Sequence, residues 1–230
     1  TQAKTLFPYT TLFRSTMQTH LGTSAEISES DIEFEQLIDA DWLYLEGYLA
    51  MSPSIQDGIA QMRHIASTHQ TKVAVSFADP AVVKFGRQGL DNMLGNGVDV
   101  VFCNREEALL YTGKDNIADA AKALLKVTKL AVVTNGAMGA MAVYQEGVFN
   151  EDNDNNTVMI ETPTIGVVTD TNGAGDNFAG GFLYALSQGH DLATCGRLAT
   201  AVASQVIQQY GARLPIEGYQ AIGKQVLNLA

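Results

Sequence analysis

Apolar residues follow two alternating rhythms along the chain: short unbroken runs, and longer stretches at helical spacing. Lys72–Phe77, Val98–Cys103 and Leu130–Thr134 are Val-rich runs without polar alternation, the pattern of strands covered by helices on both faces of a parallel sheet. Trp42–Leu45 is a shorter strand of the same kind. Ser30 followed by Asp31 and Glu33 resembles a capping box, and Ile32, Phe34, Leu37 and Ile38 follow at helical spacing, which predicts a helix there. Ser52-Pro53 offers an N-cap and first helical position for a second helix running to Ser67. Helical stretches at Ala81–Leu94, Asn104–Tyr111 and Ile117–Val127 complete a β-α-β-α succession, which implies right-handed crossovers and an α/β class.

After Gly136 the rhythm changes. Ala140–Tyr144, Val148–Phe149 and Val158–Glu161 predict short strands of a meander edge, separated by Gly147 and the polar loop 151–156. Val167–Thr169 predicts a late strand entering a glycine-rich turn, followed by helices at Asn177–Ser187 and Asp191–Gln208. The second of these places Cys195, Leu198, Ala199, Val202 and Val206 on one face. No internal repeat, low-complexity tract or Pro/Ser-rich linker divides the sequence, so one domain is the simplest count.

Composition narrows the function classes. In 230 residues, 46% are hydrophobic and 17% charged, enough apolar content to build a substantial core. A net charge of -11 repels phosphate backbones and anionic headgroups, which argues against nucleic acid and membrane-surface partners. The apolar region 118–144 is interrupted by Lys122, Lys126 and Lys129, too soon for a membrane span. Cys103 and Cys195 form neither a disulfide framework nor a metal knuckle, and a reducing, cytoplasmic compartment fits them. Residues 1–15 carry neither a signal-peptide pattern nor any structural period. Their run TLFPYTTLFRS reads as a translated sequencing adapter rather than an ordinary extension, which places the start of the biological sequence near Thr16, inside a domain.

The most informative segment is Asp170-Thr171-Asn172-Gly173-Ala174-Gly175-Asp176. Two glycines one residue apart let the backbone turn tightly and present successive N–H groups at a helix N-terminus, where unpaired donors and the helix dipole favour an anion. Asp176 stands at the start of that helix, beside whatever anion the turn holds. A carboxylate next to a phosphate site is the arrangement phosphoryl transfer needs, since one acid must orient and deprotonate the attacking hydroxyl. Read as bare residue types, the same segment is also a turn with an N-cap. Neither Gly113-Lys114 nor Gly223-Lys224 ends a P-loop, because Asp115 and Gln225 follow where Ser or Thr is required. A dinucleotide fingerprint fits poorly, with Phe178 where the third glycine belongs.

Asp170–Asp176, extended through Asn177-Phe178-Ala179-Gly180-Gly181-Phe182, resembles the D-T-x-G-A-G-D signature of the ribokinase-like, or pfkB, carbohydrate kinases. Asn104-Arg105-Glu106-Glu107 is similar to that family's N-x-x-E motif, and Thr134-Asn135-Gly136-Ala137-Met138-Gly139 to its T-x-G-x-x-G segment. Thr16–Gly22, Tyr44–Tyr48 and Ser76–Pro80 look most like the adenosine-kinase-like branch. The resemblance implies a three-layer α/β/α fold with a mostly parallel central sheet, of which residues 16–230 are the carboxyl-terminal portion, without the opening strands and most of the lid. It implies ATP-dependent phosphorylation of a hydroxymethyl group on a sugar or nucleoside.

Within that resemblance, Asp176 is the catalytic base and Gly173, Ala174 and Gly175 form the anion hole. Asn104, on the cofactor side, and Glu107, on the Mg²⁺ side, together organise Mg²⁺ and phosphate through water, although the pair is also a capping box. Thr134, Gly136 and Gly139 line the ATP site, with Thr200 at a position where many relatives carry a base-contacting Asn. Asp170, Asn172, Gln209 and Gly211 match the places of a monovalent cation, K⁺. No histidine is assigned to catalysis or metal. Small molecules are the expected partners, with a homodimer allowed for the full-length parent, and the truncated chain is expected to bind ATP weakly and turn over poorly. A dinucleotide-dependent oxidoreductase and a non-catalytic ligand-binding relative are the competing readings. The acceptor cannot be chosen from the sequence.

Overall fold

Six strands form one sheet in sequential order: β1 (Trp42–Leu45), β2 (Lys72–Ser76), β3 (Val98–Asn104), β4 (Thr128–Thr134), β5 (Ala140–Tyr144) and β6 (Thr157–Ile160). This computed structural model describes residues 26–149 and 156–227; the adapter-like segment and the Thr16–Gly22 motif lie outside them. Strands β1 to β4 pair in parallel, with Leu43 opposite Val73, Val75 opposite Val101 and Val101 opposite Ala131. Strands β4 to β6 pair antiparallel, with Val132 opposite Ala142 and Ala142 opposite Val158, which gives the meander edge.

Helices return the chain between parallel strands: α1 (Gln56–His69), α2 (Pro80–Phe85), α3 (Arg87–Leu94), α4 (Arg105–Thr112) and α5 (Ile117–Leu124). They cover one face of the sheet, meeting Leu43, Leu45, Val73, Val75, Val101, Cys103, Ala131 and Val133. The opposite face, carrying Ala74, Val100, Phe102, Leu130 and Val132, is covered by α6 (Ala174–Ser187), α7 (Leu192–Val206) and α8 (Ile216–Leu227). Val100 to Cys103 thus alternate between two cores, as a strand's period of two dictates when both faces are buried. Phe102 meets Phe182 of α6 edge to face at 5.7 Å. The result is the three-layer α/β/α arrangement, with the two thiols buried in opposite layers. Among the described residues no helix is long and apolar enough to cross a membrane.

Several expected elements differ. The helix read at Ser30–Ile38 is two 3₁₀ turns, Glu29–Asp31 and Phe34–Leu37, and the capping box belongs to Ser28 and Asp31. Ala81–Leu94 divides at Gly86, which ends α2 and precedes α3. Val148 and Phe149 form no strand, and Phe149 instead sits 5.4 Å from Tyr144. Val167–Thr169 is likewise no strand, and Val167 is 82% exposed. That segment is tied to the end of α7 instead, where the Thr169 and Asp170 amides donate to the Ile207 carbonyl at 2.8 and 3.2 Å. Helix α8 was not anticipated.

Candidate active site

Parallel strands joined by right-handed crossovers bring their carboxyl ends to one rim, where α/β sheets place ligands. At that rim lie the residues after β1 (Glu46), after β2 (Asp79), at the β3–α4 junction (Asn104, Glu107) and after β4 (Asn135–Gly139); Glu46 is close enough to Asp176 of α6 for their charges to interact, and Gly136 and Gly139 share a cavity with Ala174 and Gly175.

At the α6 start Gly173 adopts φ +74, and a Cβ there would stand 2.6 Å from the Ala212 carbonyl oxygen, so only glycine fits the turn. Gly175 faces open space, and Asp176 lies exposed in the first turn of the helix. Ala174 and Gly175 line a cavity of about 440 Å³ together with Thr134, Gly136, Gly139 and Thr200. Asp176 borders a different hollow, of about 890 Å³, between α6, α7 and α8. The glycine turn therefore separates the first cavity from the acid. Residues distant in sequence, from β4 to α7, are brought to one wall.

Asn104 does not line that cavity. Its side-chain oxygen accepts the Glu107 amide at 2.9 Å, and its own amide and backbone N–H donate to the two Glu107 oxygens at 2.5 and 2.8 Å. The capping box exists as read. Glu107 is only 3% exposed, and burial raises its carboxyl to about 7 against the Asn104 backbone bond, with Asp79, Glu106 and Glu46 adding repulsion. In the unfolded chain this carboxyl ionises near its ordinary value, so the folded state holds its proton to higher pH. Stability from Glu107 is therefore full in acid and is lost as pH rises through about 7. Glu107→Gln is expected to flatten the fall in melting temperature between pH 5 and 8, a difference on the order of 2 kcal/mol. Circular-dichroism melts across that range check it; an unchanged slope locates the titration elsewhere.

Thr200 lines the cavity, but its hydroxyl donates within α7 to Gly196 and Arg197 carbonyls at 2.9 and 3.2 Å. Only its lone pairs remain for a ligand. Asp170 accepts the Asn172 and Gly211 amides at 3.0 and 3.1 Å, bonds that lower its carboxyl below the usual range. Three of the four cation candidates thus converge, whereas the Gln209 side chain turns to the Arg213 carbonyl at 2.7 Å. Among the described residues no His, Cys, Asp and Glu side chains group as ready-made metal ligands.

A family model of the pfkB family carbohydrate kinases matches residues 12–218. The chain belongs to that family. Among its pfkB relatives, the adenosine kinase of Dictyostelium discoideum is 30% identical over 215 residues, 86% of this chain and 60% of its own length. An adenosine kinase structure from Sinorhizobium meliloti superposes with a TM-score of 0.78 at 30% identity, covering 87% of this chain and 59% of that one. A probable sugar kinase from Rhizobium etli CFN 42 does so with a TM-score of 0.78 at 32% identity, covering 89% and 59%. The chain spans about 60% of the length of these proteins. The dinucleotide reading loses its structural context, since no sheet strand leads into the glycine turn.

Two acids at this rim carry no role in the sequence analysis. Glu46 follows β1, and burial raises its carboxyl, with Asp176 as the next cause. The Tyr44 hydroxyl donates to Glu46 at 3.2 Å, and burial, then Glu46, raises that phenol. Asp79 caps α2 through the Ala81 amide at 2.6 Å and also adds to the field on Glu107. Both lie in segments, Tyr44–Tyr48 and Ser76–Pro80, whose resemblance to the adenosine-kinase-like branch marked the neighbourhood without assigning either acid a role.

Proposed function

We propose that this chain carries the nucleotide-binding and catalytic portion of a kinase that transfers the γ-phosphoryl of ATP to a hydroxymethyl group of a sugar or nucleoside. The observation that carries the reading is the turn at the α6 N-terminus, with a nucleotide-sized cavity on one side and Asp176 on the other. Thr134, Gly136, Gly139 and Thr200 would hold ATP in that cavity. Gly173, Ala174 and Gly175 would receive the transferred group; the Ala174 amide donates to Thr171 through a long 3.3 Å bond that a phosphoryl oxygen can displace. Asp176 would take the proton as the acceptor oxygen bonds to phosphorus and the bridging bond to ADP breaks, its electron pair leaving with ADP.

Glu107, with both oxygens bonded to Asn104, would organise a divalent cation only through water, while Glu46 and Asp79 add to the negative field of the crevice without grouping with it as direct ligands. Mg²⁺ bound there through water would neutralise phosphate charge. Asn104 would act chiefly by fixing Glu107. Asp170, Asn172 and Gly211 would form the K⁺ loop, with Gln209 joining only after leaving Arg213. Residues 16–230 would be the carboxyl-terminal portion of a single kinase domain, in a cytoplasmic protein whose full-length parent allows a homodimer.

The test is a panel of nucleosides and sugars offered to the chain with γ-labelled ATP and Mg²⁺. Label is expected on a nucleoside, adenosine first among them, given the Dictyostelium and Sinorhizobium relatives. No labelled acceptor and no ATP binding by calorimetry would defeat the proposal.

A further inference from the structure

The anion turn does not hold its own shape. Asn177, one residue past Asp176, bridges two segments: its side-chain amide donates to the Gly173 carbonyl at 2.7 Å and to the Ala212 carbonyl at 2.8 Å. Its side-chain oxygen accepts the Tyr219 hydroxyl at 2.6 Å, and that hydroxyl accepts the Leu214 amide at 3.1 Å. Tyr219 belongs to α8, so a distant helix fixes the loop that backs the turn. Contact is tight, because the Gly173 backbone leaves no room for a Cβ against Ala212.

We infer that Asn177 and Tyr219 are positioning residues that hold the Gly173–Gly175 amides in register for a phosphoryl group. This rests on the kinase reading above. Both Asn177 polar atoms are committed to the clamp, and neither residue is needed to touch the reacting atoms. An anion hole accelerates transfer only when its donors are already aimed, since reorientation at the moment of reaction costs part of what the donors contribute. Loss of the Tyr219 hydroxyl frees the Asn177 oxygen and the Leu214 amide together. The Gly173 carbonyl then keeps its helical bond from the Asn177 amide at 2.9 Å, while the backing loop loosens.

The test compares ATP with ADP, each with Mg²⁺, by calorimetry on the chain and its variants. ADP lacks the γ-phosphoryl group that the turn is proposed to receive, so the ratio of the two affinities reports the turn. Tyr219→Phe keeps the ring and removes one oxygen. It is expected to weaken ATP by about five- to tenfold while leaving ADP within about twofold. Asn177→Ala should do the same, and the double variant should be no weaker than the poorer single one, because one network is being broken. Equal losses for ATP and ADP would reduce the clamp to general structural support and overturn the inference, as would a folded Tyr219→Phe with unchanged ATP affinity. Amide shifts of Gly173 and Gly175 on adding inorganic phosphate give a second readout, expected to shrink in the same variants. A wild-type chain that binds neither nucleotide instead defeats the kinase reading itself.

Discussion

Asp176→Asn is expected to lower phosphoryl transfer by about a hundred- to ten-thousandfold while leaving ATP affinity within about twofold. The substitution preserves shape and removes only the ability to take a proton, and its site is exposed at the α6 N-terminus, so the fold has little stake in it. The cavity proposed for ATP lies on the far side of the glycine turn and does not include Asp176 among its walls, which is why binding and turnover should separate. Nearby charge should respond as well. Asp176 contributes to the raised carboxyl of Glu46, second to burial, so neutralising it should relax Glu46 toward the ordinary carboxylate range. The measurement is transfer of labelled phosphate to the acceptor found in the panel, beside calorimetric ATP binding. A variant that keeps its rate would show that another group accepts the proton, and Glu46 would be the next residue to replace.

The family signature was legible because its residues are adjacent: Asp170 to Asp176 carry the turn, its glycines and its acid within one short segment. Strands were legible for a different reason. A Val-rich run such as Val98–Cys103, apolar except for Asp99 near its start, fits best between two helical layers, and the chain puts it there. Helix α8 escaped notice because Gly218 and Gly223 interrupt its apolar spacing, and it supplies Tyr219, one end of the clamp on the turn. Glu46 and Asp79 are solitary acids in sequence. Only the parallel crossovers bring the ends of β1, β2 and β3 to one rim, so their shared field on Glu107 belongs to topology rather than to any local pattern. Thr200 shows the converse limit. Its position on α7 could be read, but the direction of its hydroxyl is settled by the Gly196 and Arg197 carbonyls of its own helix.

Gly139→Ala is expected to cost about 3 kcal/mol or more in stability and to remove nucleotide binding with it. Gly139 adopts φ 87 and ψ -144, a combination that side chains penalise heavily, and a Cβ would meet the Ile160 carbonyl oxygen at 2.1 Å. That carbonyl is backbone in β6, where Ile160 pairs with Ala140, so the clash cannot be relieved by rotating a side chain. Either the β5–β6 edge opens or the turn from Asn135 to Gly139 shifts. The turn is closed by the Asn135 amide on the Gly139 carbonyl at 2.7 Å, and it carries Gly136, Ala137 and Gly139 into the wall of the cavity proposed for ATP. Damage to the edge therefore reaches the ligand. Gly136→Ala is the control: its φ is 55, yet nothing stands within 4 Å of the added methyl. It should lose only about 1 kcal/mol, the cost of a left-handed residue without a clash. Thermal melts of the two variants, with ATP titrations on each, decide the matter, because near-equal melting temperatures would mean that the sheet edge yields freely and does not hold the cavity wall.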